Sequence, residues 1–134
     1  GGTALPESQM RWLLENQGPE ATFVVRVAHE AERPEELVGF ICWKNRPDPH
    51  TPACEILNLS VGKNFREERV EHALLKDAVD VATKNGLIGM SVNLPRSNFA
   101  AAAFYLSHAF ILGHTVERYY DDGSAMEVFM KRLK

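Results

Sequence analysis

The residues with most to offer chemically gather where the chain changes period, between Cys54 and Ala82. Cys54 to Val61 is a short apolar run with two-residue alternation: Glu55, Leu57, Leu59 and Val61 share one side, and Cys54, Ile56, Asn58 and Ser60 the other. From Val70 onward, Val70, Ala73, Leu74, Ala78, Val81 and Ala82 recur at three- and four-residue steps, the stripe of an amphipathic helix. The spacing therefore predicts a loop over Gly62–Arg69 that ends at a helix N-terminus. Such an end carries N–H groups without acceptors and a partial positive charge, so it can hold an anion such as a phosphate. Arg66 and Arg69 add guanidinium groups suited to phosphate, while Glu67, Glu68 and Glu71 bring negative charge to the same place. Acidic residues also favour an ordinary solvated first turn, so the pattern alone leaves both readings standing.

Other chemistries find less support. His29, His50, His72, His108 and His114 show no HxxxH or comparable spacing, and no metal site is expected. Cys42 and Cys54 both fall inside predicted strands and outside any CxxC pair, which fits two buried thiols in a reducing compartment. A formal net charge of -3 gives no basic field for nucleic acid or an anionic membrane surface. No apolar run approaches the length of a membrane span and no signal-like N-terminus is present, so a soluble cytoplasmic protein is expected. With 134 residues and 45% hydrophobic content, one domain over 1–134 is expected, with Gly1 and Gly2 set aside as a cloning remnant.

The elements that position these residues follow in order. Pro6 opens a short helix, Glu7 to Gln17, with Met10, Leu13, Leu14 and Gln17 on neighbouring turns before Gly18 and Pro19. Thr22–Ala28 and Leu37–Lys44 read as antiparallel strands, and the three prolines of Asn45–Pro52 predict an exposed loop. Asn85 and Gly86 stop the helix that began near Val70, and Leu87–Asn93 is a further strand, parallel to Cys54–Val61 through a right-handed crossover. Pro95, Ser97 and Asn98 prepare a second helix, Asn98–His108, whose four alanines imply close packing on the sheet. Phe110–Val116 and Met126–Lys131 complete the set, around a polar turn with Asp121, Asp122 and Gly123. This is an α/β sheet of mixed direction. Ligands on such sheets favour the C-terminal ends of diverging strands, here Cys54–Val61 and Leu87–Asn93.

From Leu37 to the C-terminus the chain resembles the GCN5-related N-acetyltransferases, and within them the N-terminal and ribosomal-protein alanine acetyltransferase type. The motifs are the strand Ala53–Val61, then Phe65 and Arg66, the helix Glu71–Ala82, the series Asn98, Ala101, Tyr105 and Phe110, and the tail Arg118–Met126. The resemblance implies a mostly antiparallel mixed sheet flanked by helices, acetyl-CoA as cosubstrate, and acetyl transfer to a primary amine on a small molecule or protein. Carried over by position, the backbone of Leu59, Ser60 and Val61 holds the acetyl and pantetheine groups. The N–H groups of Arg66, Glu67, Glu68, Arg69, Val70 and Glu71 face the pyrophosphate. Asn98 bonds the pantetheine arm, Tyr105 protonates the departing thiolate, and Glu55 matches a glutamate that serves several members as general base. Tyr119 and Tyr120 match residues lining an acceptor groove; as strand neighbours, at most one of them faces it.

Each assignment has a plainer counterpart in the residues themselves. Glu55 fits a solvated or salt-bridged strand carboxylate, Asn98 a helix cap, and Tyr105 a core ring with its hydroxyl at the edge. Arg69 and Glu71 stand where the family's phosphate loop carries small residues, and Ala109 replaces a common glycine before Phe110. The family's usual first strand and helix are also missing before Glu7, which points to a trimmed chain, a short variant, or a second subunit completing the sheet as a homodimer. These departures keep a second reading open: a degenerate acetyltransferase fold serving as an interaction or regulatory module.

Overall fold

The computed structural model describes residues 23–29, 37–46, 48–62 and 67–133, and the side chains of these apart from Glu67 and Glu68. The helix expected over Glu7–Gln17, Trp12 and Arg66 lie outside the described residues. In chain order the elements are β1 (Phe23–His29), β2 (Leu37–Arg46), β3 (Ala53–Val61), α1 (Glu67–Lys84), β4 (Gly89–Pro95), α2 (Phe99–Ser107), β5 (Ile111–Val116) and β6 (Met126–Arg132). The strands form one sheet in the order β1-β2-β3-β4-β6-β5, with β6 inserted between its two predecessors. Every neighbouring pair is antiparallel except β3 and β4, which the α1 crossover makes parallel. Among the described residues no helix is long and apolar enough to cross a membrane.

Both helices cover one face of the sheet. Leu74, Leu75, Ala78 and Ala82 of α1 and Tyr105 of α2 bury against Ile41, Trp43, Cys54, Ile56, Leu59, Met90, Val92, Leu94 and Phe129. The opposite face carries a separate cluster of Val25, Phe40 and Cys42, with Phe23 against it. Strand β2 is buried on both faces from Val38 to Trp43, as a run without alternation implies.

The helix ends explain two boundaries. At the end of α1, Leu87 N–H donates to Ala82 and Gly86 N–H to Thr83, while Gly86 takes φ 84°, a left-handed stop that suits glycine. Leu87 is buried there against α1, so β4 begins at Gly89, two residues beyond the start expected from the apolar run. Helix α2 ends the same way: Phe110 N–H reaches Tyr105 and Ala109 N–H reaches Leu106, with Ala109 at φ 66°. Helix α1 starts at Glu67, so Glu67–Arg69 is helical rather than part of the expected loop. The polar first turn carries no apolar period from which to read it.

The expected faces of β3 need correction. Opposite β2 the register slips between Cys42 and Trp43, which pair with Asn58 and Ile56, leaving Leu57 as the extra residue of a β-bulge. Beyond it the alternation changes phase. Leu59 and Val61 join Cys54 and Ile56 on the helical side, whereas Glu55 points to the other.

Candidate active site

Strands β3 and β4 pair over only four positions, Ala53–Ile56 with Gly89–Val92. Both continue, β3 to Val61 and β4 to Pro95, bonded on their outer edges to β2 and β6. Their inner edges diverge at the Leu57 bulge. The resulting gap leaves the inward-turned backbone groups of Leu59 and Val61 to whatever enters it, while the Ser60 carbonyl turns the other way, toward Gly39 of β2. Gly62 N–H is tied to Val38 at 2.8 Å, anchoring the end of β3 before the chain turns toward α1.

At the start of α1, the first turn presents the N–H groups that lack helical acceptors. Arg69 lies there with an exposed side chain, Val70 is half-buried, and Glu71, also half-buried, stands one turn deeper. The electrostatics are divided: the helix end and Arg69 attract an anion, and Glu71 opposes it.

Tyr105 is buried in the cluster that also holds Leu59 and Leu94. Its ring meets Phe104 and Phe110 edge-on, at 5.1 and 5.2 Å. Burial, then the negative charge of Glu71, push the phenol well above its ordinary range, so it stays protonated at neutral pH. Asn98 caps α2, its side-chain oxygen accepting from Ala101 N–H at 3.1 Å. Its amide nitrogen is the group suited to a ligand carbonyl.

Glu55 sits on the opposite face from Tyr105, half-buried and ion-paired to the Arg46 guanidinium. It belongs to the paired part of β3, opposite Ser91, just before the strands separate. Past the bulge, Ser60 Oγ donates to Asn58 Oδ1 at 2.5 Å. Tyr119 and Tyr120 lie in a loop rather than a strand, their rings edge to face at 4.9 Å and both N–H groups donating to Ser124 O. Asp122 Oδ1 accepts from Ser124 N and Oγ, which tightens the same loop.

One cluster carries no sequence signal. His72 of α1 meets His108 at the end of α2, 36 positions away, with the Phe104 ring tilted against both at 5.0 Å. The thiols of Cys42 and Cys54 are pushed by burial to about 11 and about 12, so both are protonated, unreactive core groups. Among the described residues no group of three or more His, Cys, Asp or Glu could hold a metal ion.

Comparison with known proteins agrees with this geometry. The family model "Acetyltransferase (GNAT) family" matches residues 3–110, and the chain belongs to that family. Streptothricin acetyltransferase A of Bacillus subtilis (strain 168) is 34% identical over 58 residues, 43% of this chain and 34% of that protein. The match thus spans about a third of that relative's length. Among solved structures, Arabidopsis thaliana NAA60 in complex with a bisubstrate analogue superposes with a TM-score of 0.77 at 20% identity, covering 95% of this chain and 83% of that one. The ribosomal-protein-S18-alanine N-acetyltransferase of Escherichia coli gives 0.73 at 21% identity, covering 98% and 80%. These two show the shared fold.

Proposed function

We propose that the chain transfers the acetyl group of acetyl-CoA to a primary amine, with the gap between β3 and β4 as the place of reaction. The observation that carries this reading is the four-residue limit of the β3/β4 pairing, which leaves inward-turned backbone groups of Leu59 and Val61 facing an opening. Acetyl-CoA supplies an activated acyl group on a good sulfur leaving group. The chain orients it through that backbone and through the amide nitrogen of Asn98. The first turn of α1, with Arg69 and Arg66, holds the pyrophosphate in spite of Glu71.

Two protons must move as the C–N bond forms and the C–S bond breaks. The amine gives up one, to Glu55 Oε2 or to water, since Arg46 engages Oε1. The sulfur takes the other from water, with the Tyr105 hydroxyl hydrogen-bonded to it as the C–S bond breaks. Because the phenol is held above its usual range while a free thiol titrates near about 8.5, full transfer from Tyr105 is uphill. Tyr105 therefore acts mainly by hydrogen-bonding the sulfur as negative charge develops.

Calorimetric titration with acetyl-CoA tests the proposal, together with thiol release in the presence of an amine. Binding near cellular cofactor concentrations is expected, and Tyr105→Phe should lower kcat by about a hundredfold while acetyl-CoA still binds. A second reading, an interaction module without cofactor binding, is favoured by Arg69 and Glu71 in the first two turns of α1. It gains if the native chain binds nothing and Arg69→Gly with Glu71→Gly restores binding; turnover by the native chain removes it.

A further inference from the structure

The contact between His72 and His108 lies where α1 and α2 border the cleft. His72 occupies the second turn of α1, directly after Glu71. His108 follows α2, and its N–H closes the last turn on Tyr105 O at 3.0 Å. The Phe104 ring stands between the pair and the phenol, 5.0 Å from each imidazole and edge-on to Tyr105 at 5.1 Å. Phe110 meets Tyr105 at 5.2 Å, and Lys131 ties the group together, donating to His108 O at 2.8 Å with its ammonium 6.0 Å from the Phe110 ring. A movement of either imidazole is therefore carried to the phenol through packed rings.

Two imidazole nitrogens 2.5 Å apart need one proton between them, because one must donate while the other offers its lone pair. With both rings charged, two donors and two like charges face each other, and the contact is lost. On α1, Glu68 and Arg69 precede His72 by a turn, Glu71 adjoins it and Lys76 follows by a turn; on β6, Lys131 reaches the His108 carbonyl. Burial, then the positive charge of His72 and Lys131, disfavour the charged form of His108. Charging of both rings thus belongs to the acid side of about pH 6.5, the ordinary histidine value. Apolar side chains would hold two helices together as firmly; imidazoles add direction and a dependence on protons.

Building on the acetyltransferase reading above, we propose that His72 and His108 are positioning residues for acetyl transfer: while one imidazole is uncharged their contact sets Tyr105 at the sulfur, and a second proton releases it. In that reading the first turn of α1 holds the pyrophosphate, whereas α2 carries Tyr105 and is capped by Asn98, so one acyl donor is gripped by two helices. Its sulfur meets the phenol in only one relative placement of the two. A displacement of about 1 Å at the reacting atoms costs about tenfold or more in rate. Contacts to the pyrophosphate tolerate it better, so the loss falls on kcat.

The full chain and His108→Ala are assayed with acetyl-CoA and a short peptide bearing a free α-amine and one lysine, from about pH 8 to about pH 5. The titration of the amine is common to both proteins and cancels in the ratio of their kcat values. The native chain should be about tenfold faster at the upper pH, and the ratio should close to about one at the lower, where neither protein has the contact. His108→Gln, whose amide donates or accepts toward His72 at any pH, should exceed His108→Ala by a margin that does not change with pH. The acetyl-CoA Kd by calorimetry should agree within about twofold among the three at the upper pH. Should His108→Ala fail to fold, His72→Ala makes the same comparison. Independently of turnover, the Tyr105 ring resonances of the native chain should move in step with the His108 titration in NMR. A rate ratio constant across the pH range, Tyr105 resonances that ignore His108, or a loss confined to the acetyl-CoA Kd overturns the proposal and leaves the parent reading intact. Absence of acetyl-CoA binding by the native chain overturns both.

Discussion

His72 Nδ1 and His108 Nε2 lie 2.5 Å apart, joining α1 to the end of α2 through one shared proton position. Lys131 of β6 donates to His108 O at 2.8 Å and adds positive charge. Burial, then His72 and Lys131, hold the His108 pKa below its ordinary value. The unfolded chain, titrating near about 6.5, binds protons before the folded one does, so stability is full above that pH and is lost as pH falls through it toward the folded value. Melting temperature should therefore fall as pH drops through about 6.5, and His108→Gln should flatten that part of the profile. An unchanged slope in the variant would refute this assignment.

Ala109 occupies the left-handed stop after α2, at φ 66°, where the hydrogen bonds from Phe110 and Ala109 match those made around Gly86 after α1. An L-residue with a Cβ is strained in that conformation by about 1 kcal/mol. Ala109→Gly should raise stability by up to about that amount in urea denaturation, even after the added freedom of glycine in the unfolded chain.

Gly39 is fitted against β3 at the edge of the gap. A Cβ there would stand 2.7 Å from the Ser60 carbonyl oxygen and 3.2 Å from Val61 Cγ2. Because the nearest obstacle is backbone, Gly39→Ala should push β3 outward and cost about 1–3 kcal/mol. The same shift disturbs the wall formed by Ser60 and Val61, so acetyl-CoA affinity should fall more than it does for an equally destabilising change on β1. Equal affinity losses in the two variants would contradict this.

Trp43 is wholly buried, yet among the described residues its indole Nε1 has no hydrogen-bond partner. Trp43→Phe removes an unsatisfied donor along with part of a ring, two effects of opposite sign. Its cost should stay below about 2 kcal/mol, whereas Trp43→Ala should cost about 3–5 kcal/mol, read from chemical denaturation.

Element types were legible wherever burial imposed a period. The two-residue alternation of Cys54–Val61 and the three-to-four spacing from Val70 reported β3 and α1, and Asn98 with its alanines reported α2. Two boundaries escaped for local reasons: Glu67–Arg69 are helical but hold no apolar residue to carry the period, and Leu87 is apolar because it plugs the end of α1 rather than because it pairs in β4. The bulge at Leu57 was invisible because it is decided by the partner strand, where Cys42 and Trp43 meet Asn58 and Ile56. That single extra residue altered which side chains share a face. Likewise, the insertion of β6 between β4 and β5 and the meeting of His72 with His108 depend on contacts remote in the chain.

The brief seam between β3 and β4 has a consequence for assembly. The strands before α1 form one three-stranded ribbon and those after β4 begins form another, each stitched by its own antiparallel bonds. Among the described residues, what unites the ribbons is four residue pairs and the apolar underside of α1 and α2. A cut at the exposed Asn85–Gly86 turn, where Gly86 has no neighbour within 4 Å of an added Cβ, severs the chain without touching either ribbon. Two polypeptides divided there carry complementary halves of one cleft. Neither half alone possesses the opening, which exists only where the two come together.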